Sequence, residues 1–428
     1  EKNSSKDDNI VFLSSGWDST SILAGLRYIY GKKKIRCLIV RQSFSEKYGT
    51  TNLPELNKAK KIANYYDVKL EVLNLNYLSE KFINKYLSKL SSICRSKNFN
   101  LFPIMGQFLL AEKAAQIRNA NDTTVFTGEM SDGAHNLGFS QFITMFHQNS
   151  KSFREYSDKM MSYLFGPTFL KNIASNSHTE DPVWKILREK FNGKLENLSK
   201  KNGLNHIKNI YLRSFFAQGS RFPMYSLDNE PFLTSKGMAD YNNYMNKNYF
   251  NSYSKKLNSK NHYSVFLNLY NSFHWQGSSV ASLKMCTDFH NLNICNPFHN
   301  INMFDFLSKM PESWGRGLDL NSTKYPLKEI LRKKLNYPIH MQEGPHAYVY
   351  DTIPSYNAYE ELLTRSKLPS IARKKLDNSK LLNSLDKKHF NTKHINTLVT
   401  KYKQKQNLTL TEINELSILI GNTLIDTY

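Results

Sequence analysis

Two short stretches of the chain hold the side chains best suited to chemistry. The first is "LSSGWDST", residues 13–20, which follows the apolar run "NIVF". Ser14, Ser15, Gly16 and Ser19 offer amides and hydroxyls where a strand gives way to a helix. Unpaired N–H groups and the positive end of the helix dipole attract an anion at such a place. Gly16 lets a ligand approach the backbone closely. Asp18 conflicts with a bare phosphate cradle, because a carboxylate repels phosphate unless a cation lies between them. Magnesium resolves the conflict, since it takes one or two carboxylates together with phosphate oxygens. The stretch lacks the lysine of a Walker A loop and the spacing of a GxGxxG fingerprint. The second stretch, "TGEMSDG", residues 127–133, puts Glu129 and Asp132 directly after another strand candidate. Ligands of open α/β sheets bind at the carboxyl ends of strands, where two such acidic clusters face one crevice. Two aspartates there can clamp metal on a triphosphate.

The elements that must position these residues are legible from periodicity. "NIVFLS" reads as a strand. Ile22, Leu23, Leu26, Ile29 and Tyr30 then recur at helical spacing, and Gly31 is placed to stop the helix. "RCLIVRQSF" is the second strand, and Leu56, Ala59, Ile62, Ala63 and Tyr66 mark the next helix. "KLEVLNL" is the third strand, followed by a helical face of Leu78, Phe82, Ile83, Tyr86 and Leu87. A helical region near 104–119 precedes the fourth strand, "DTTVFTGE". This alternation predicts a doubly wound parallel α/β sheet with right-handed crossovers. Beyond about residue 150 the strand signal fades and long stretches read as helical. "KNGLNHIKN" and "LNSKNHYS" read as linkers or turns. The last helix opens on a capping box of Thr409 and Glu412 and lines one face with Ile413, Leu416, Ile420 and Leu424. The expected division is a nucleotide-binding α/β core at 1–150, a helical insertion at 151–280, and a helical part at 281–428 that ends in a basic tail.

Composition bounds the reading. The chain has 428 residues, 40% hydrophobic and 22% charged, in the globular range. No window approaches ~20 apolar residues, and the opening "EKNSSKDDNI" lacks the apolar run of a signal peptide. The expected location is therefore the cytoplasm. Cys37, Cys94, Cys286 and Cys295 form no CxxC pair, which argues for a reducing compartment and against structural zinc. A net charge of +22 attracts nucleotides, nucleic acid, acidic carriers or anionic membrane surfaces. A coding bias toward Lys and Asn would give the same charge.

"LSSGWDST" resembles the SGGxDS pyrophosphate loop of the PP-loop ATP pyrophosphatases. The wider pattern is similar to the synthetase domain of glutamine-hydrolysing asparagine synthetases. The resemblance implies that Ser14, Ser15, Gly16, Trp17, Asp18 and Ser19 bind ATP, with Asp18 also a magnesium ligand. Ser15 replaces the first glycine of the pattern. "TGEMSDGAHNLGF" resembles that family's GEGSDE motif. It implies Thr127 and Gly128 beside the AMP portion, Glu129 as catalytic glutamate and Asp132 as second magnesium ligand. Met130 replaces a glycine, and Gly133 replaces the final glutamate. Downstream, "NICNPFHNINMFDFLSKMPESWGRGLDLNSTKYPLKEILRKKL" resembles the family segment that ends in a lysine-tyrosine pair. It implies Lys324 as catalytic lysine, followed by Pro326 as the first position of a helix with Leu327, Ile330, Leu331 and Leu335. Phe12 and Val40 match positions that flank the nucleotide, Val40 through its backbone, and Pro103 matches a proline ahead of the next helix. Asn293 and Cys295 stand where the family has Glu-x-Arg before Pro297 and Phe298, and Asn300 replaces an aspartate. The carboxylate acceptor is therefore expected to differ from aspartate. The resemblance covers residues 9–140 and 280–336.

This resemblance implies an ATP-dependent carbon–nitrogen ligase. With magnesium and ATP it would adenylate a small-molecule or peptide carboxylate, release pyrophosphate, and pass ammonia or an amine to the acyl group. Glu129 would accept a proton from the nucleophile or orient the adenylate, and Lys324 would balance charge on the phosphate. No glutaminase pattern is present in these 428 residues. Ammonia would come from an upstream or separate subunit or from solution. The nucleophile could instead be a substrate amine, as in relatives that close β-lactam or lasso-peptide rings. Two alternatives remain open. A tRNA-modifying PP-loop ATPase suits the positive charge. A degenerate synthetase-like nucleotide-binding subunit suits the departures at Ser15, Met130, Gly133 and Asn293.

Overall fold

The computed structural model of the chain describes residues 4–31, 34–94, 101–119, 122–135, 231–256, 279–314, 322–342, 356–377 and 380–428, with single residues at 168, 171, 172, 177, 180 and 271. The first half alternates as expected: β1 (Asn9–Phe12), α1 (Trp17–Tyr30), β2 (Ile35–Ser43), α2 (Leu53–Tyr65), β3 (Lys69–Asn76), α3 (Glu80–Ile93), α4 (Leu101–Ile117) and β4 (Thr124–Phe126). Downstream come α5 (Ser131–Ala134), α6 (Ser235–Met245), α7 (Ala281–Phe289), β5 (Asn293–Cys295), α8 (Ile301–Ser308), α9 (Tyr325–Lys333), α10 (Leu368–Asp377), α11 (Thr392–Lys403) and α12 (Leu410–Thr427), besides shorter turns. The chain forms two compact units. One gathers Glu1–Glu129, Ser278–Pro297 and Leu327–Tyr428, and the other gathers Met130–Gly277 and Phe298–Pro326.

The first unit holds a five-stranded sheet in the order β3-β2-β1-β4-β5, with every pair parallel. Ile10, Val11, Cys37, Leu38 and Val125 are at most 1% exposed. Strands covered on both faces read as continuous apolar runs, which is why "NIVF" and "CLIV" stand out in the sequence. The architecture is α/β and compatible with a Rossmann-like arrangement. Strand order reverses at β1, with β2 on one side and β4 on the other, so β1 and β4 flank the topological switch point. At the amino ends of these strands Asp8, 2% exposed, is fully engaged. It accepts from Arg36 at 2.5 and 2.6 Å, from the Thr123 hydroxyl at 2.6 Å and from the Asn119 amide at 2.9 Å.

Several elements differ in detail from the sequence pattern. The chain carries a fifth strand where the strand signal had faded: Asn293, Ile294 and Cys295 pair with Thr124, Val125 and Phe126. Three residues are too few for a period to register. Leu78 precedes α3, because Ser79 caps that helix by accepting from the Phe82 amide. Pro103 lies within the first turn of α4, where its missing N–H has no intrahelical partner to lose. Helix α9 begins at Tyr325, so Pro326 is its second residue; Leu331 is fully buried and Ile330 is 51% exposed. Gly31 ends α1 with φ +67°, a conformation that favours glycine. Both bonds of the capping box at Thr409 and Glu412 are present, and Ile413, Leu416, Ile420 and Leu424 are at most 3% exposed. The linker candidates "KNGLNHIKN" and "LNSKNHYS" lie outside the described residues. Among the described residues, no helix is long and apolar enough to cross a membrane. All four cysteines are free thiols, and burial pushes Cys37 up to about 12.

Candidate functional site

The turn between β1 and α1 is tied by its own hydroxyls. Ser19 Oγ accepts from the Ser14 amide at 3.0 Å and lies 2.8 Å from Ser14 Oγ, which in turn accepts from the Gly16 amide at 3.1 Å. Thr20 Oγ1 donates to the Gly16 carbonyl at 2.7 Å. Gly16 is the N-cap of α1, and the helix has no side-chain cap. Ser15, in the place of the pattern's first glycine, is completely buried, whereas Asp18 in the first helical turn is partly exposed. The turn therefore keeps its shape through serine hydroxyls and leaves the helix end without a competing carboxylate or hydroxyl cap.

The loop after β4 meets that turn directly. A β-carbon added at Gly128 would lie 3.0 Å from Asp18 Cβ, 3.0 Å from the Ser19 amide nitrogen and 3.3 Å from the Asp18 carbonyl carbon. Two of these three neighbours are backbone atoms, so a larger side chain here requires the turn to shift by a few tenths of an ångström. Thr127 is buried, donates its amide to the Cys295 carbonyl at 3.3 Å and accepts the Glu129 amide on Oγ1 at 3.2 Å. Glu129 Oε2 accepts from the Ser279 hydroxyl at 2.9 Å. The structure thus brings Asp18, Ser19, Thr127, Gly128 and Glu129 into one constellation at the switch point of the sheet.

Phe12 ends β1 and is 9% exposed; Val40 in β2 is 7% exposed. The Val40 carbonyl accepts from Asn52 Nδ2 at 2.7 Å, and Asn52 Oδ1 accepts from the Gln42 amide at 2.9 Å. Asn52 Nδ2 also lies 2.9 Å from Glu55 Oε2. Burial pushes the Glu55 carboxyl up to about 7, with the Asn52 bond opposing the shift. The Trp17 ring meets Tyr337 edge-on at 6.4 Å, and the Lys328 ammonium stands 5.1 Å over it.

The second unit holds the other motif residues. Met130 takes a left-handed conformation, φ +74°, ahead of the α5 turn, and its side chain is 1% exposed. This is the position at which the GEGSDE pattern has glycine, the residue that reaches such φ without strain. Asp132 is in that turn and accepts an ion pair from Lys324 Nζ at 2.6 Å. Lys324 is 9% exposed and also has positive φ, +55°. His135 is buried against Phe298, and its ring lies 2.9 Å from the Ser131 carbonyl. Ala134 packs with Leu307 and Met310. Asn300 caps α8 by accepting from the Asn302 amide at 2.9 Å, and Asn293, in the first unit, donates to Thr124 Oγ1 at 3.2 Å. Two residues at family departures thus have structural partners.

Among the described residues, no group of three or more His, Cys, Asp or Glu side chains forms a metal cage. A magnesium ion that keeps phosphate oxygens and water needs only one or two protein carboxylates, and the partly exposed Asp18 in the first turn of α1 has the chemistry of such a ligand. A scan against models of known protein families and a search of curated proteins each found no match.

Sequence reasoning missed Ser279, Gln107, Asn52 and Glu55. "TNLPE" is an amide-bearing helix start, a signal that marks a cap but does not say what its side chain will reach, and Ser279 and Gln107 stand in no motif that singles them out.

Proposed function

We propose that the chain is an ATP-dependent carbon–nitrogen ligase of the asparagine synthase type, with a PP-loop fold. The main support is the ion pair between Asp132 and Lys324. Both residues are singled out by separate motifs far apart in the sequence, and chance gives no reason for them to meet. The approach of Gly128 to Asp18 and Ser19 supports the same reading, because it joins the two strand-end motifs within one unit.

In this reading the turn at 14–19 receives the pyrophosphate of ATP through amides and hydroxyls. Asp18 would hold magnesium, which supplies charge neutralisation of the phosphates, and the motif resemblance implies Asp132 as a second magnesium ligand. Val40 and Phe12 border the adenine, Thr127 and Gly128 the AMP portion. A substrate carboxylate attacks the α-phosphorus and pyrophosphate leaves. An amine or ammonia then displaces AMP, with Glu129 accepting the amine proton. Lys324 stabilises negative charge on the phosphate. Labelled ATP incubated with a panel of carboxylic acids and ammonia is expected to give AMP and pyrophosphate. Asp18→Ala is expected to slow this by roughly 10²–10³-fold. Release of ADP and phosphate instead rejects the reading.

A second reading, a tRNA-modifying PP-loop ATPase, is favoured by one observation: residues 365–405 hold twelve Lys and Arg against two Asp and Glu. Steeply salt-dependent binding of tRNA would favour it over the ligase.

A further inference from the structure

We infer that Ser279 is a positioning residue for Glu129, an inference that rests on the ligase reading. The Ser279 hydroxyl donates to Glu129 Oε2 at 2.9 Å and is itself 3% exposed. It is anchored from two further elements. Its carbonyl accepts from Gln107 Nε2 of α4 at 3.0 Å, and Gln107 Oε1 accepts from Ser282 Oγ of α7 at 2.6 Å. The Glu129 amide is fixed separately, on Thr127 Oγ1 at 3.2 Å.

A glutamate has three side-chain torsions and would sample many positions from a loop. The pair of anchors removes that freedom at both ends of the residue. The Ser279 hydroxyl, which has a single proton, donates it to Oε2 and so fixes the plane of the carboxyl group. As the amine nitrogen bonds the acyl carbon and the bond to the AMP oxygen breaks, the amine proton then passes to a carboxylate already in place. Loss of the hydroxyl should therefore impair amide formation and spare adenylation.

The test uses the full chain, labelled ATP, the panel of carboxylic acids and hydroxylamine as the amine. Ser279→Ala is expected to retain ATP–pyrophosphate exchange and the KM for ATP, while hydroxamate formation drops about 10- to 100-fold. Ser279→Thr, which keeps the hydroxyl, is expected to restore it. Unchanged hydroxamate formation in Ser279→Ala overturns the inference, as does a parallel loss of both activities without rescue by threonine. If the wild-type protein forms no AMP and pyrophosphate, the ligase reading itself fails. Crystal structures of wild type and Ser279→Ala then decide the positioning claim alone: a displaced Glu129 carboxylate supports it, and an unmoved one rejects it.

Discussion

The turn after β1 and the segment bearing Asp132 and Lys324 are both polar, yet they are held in opposite ways. In the turn, serine hydroxyls bind the neighbouring amides and Gly16 has an ordinary φ of −78°. Nothing there is strained. In the other segment, Met130 and Lys324 both take positive φ without being glycine. A left-handed conformation costs such residues roughly 1–2 kcal/mol each. It persists because the Met130 side chain is buried and the Lys324 ammonium is paired with Asp132. The turn is thus shaped by local hydrogen bonds, whereas the positive φ values at Met130 and Lys324 are held by burial and by an ion pair.

Lys324 offers the sharpest way to break this contrast. Lys324→Ala and Lys324→Gly are both expected to lose amide formation by roughly 10²–10³-fold, since both delete the ammonium. They should differ in stability. Glycine relieves the positive φ and alanine does not, so urea unfolding should find Lys324→Gly more stable than Lys324→Ala by about 1 kcal/mol. Equal stabilities would mean that the backbone there carries no strain.

Gly128→Ala probes the relaxed side. The added methyl meets Asp18 Cβ and the Ser19 nitrogen at 3.0 Å. Overpacking of that kind costs about 1–3 kcal/mol. Both the urea midpoint and the ATP affinity measured by calorimetry should fall. A variant that matches wild type in both would show that the turn yields more easily than its hydrogen bonds suggest.

The smallest expected effect concerns Glu55, which reaches the Val40 carbonyl through Asn52. Burial raises its carboxyl from 4.5 to about 7, so the folded protein holds this proton more tightly than the unfolded chain. Its contribution to stability is complete below the unfolded pKa and is lost as pH rises through about 7. Urea midpoints compared across this window should decline with pH in wild type, and Glu55→Gln should flatten that decline. A flat wild-type profile would contradict the burial of this carboxylate.

The sequence exposed the repeated strand–helix units because parallel strands are apolar on both faces and helices carry their period in every turn. It exposed Asp18, Glu129, Asp132 and Lys324 because those side chains sit in short motifs with unusual residue types. β5 was hidden: its three residues, Asn-Ile-Cys, have no detectable period, and the neighbour that makes them a strand lies far away in sequence. Ser279 was hidden for a related reason. A lone serine carries no signal of its own, and only tertiary folding sets its hydroxyl on Glu129. The positive φ at Lys324 was also invisible, since lysine gives no warning of a left-handed backbone.

Trp17 immediately precedes Asp18, with the Lys328 ammonium 5.1 Å over its ring and Tyr337 at its edge. An indole so close to a cation has an emission colour set by local charge. The molecule therefore contains its own optical reporter on the first turn of α1, one of four tryptophans in the chain. Fluorescence titration with nucleotide, in wild type and in Trp17→Phe, tests the proposed binding at that turn: a spectral shift confined to the wild type supports it, and an unchanged wild-type spectrum counts against it.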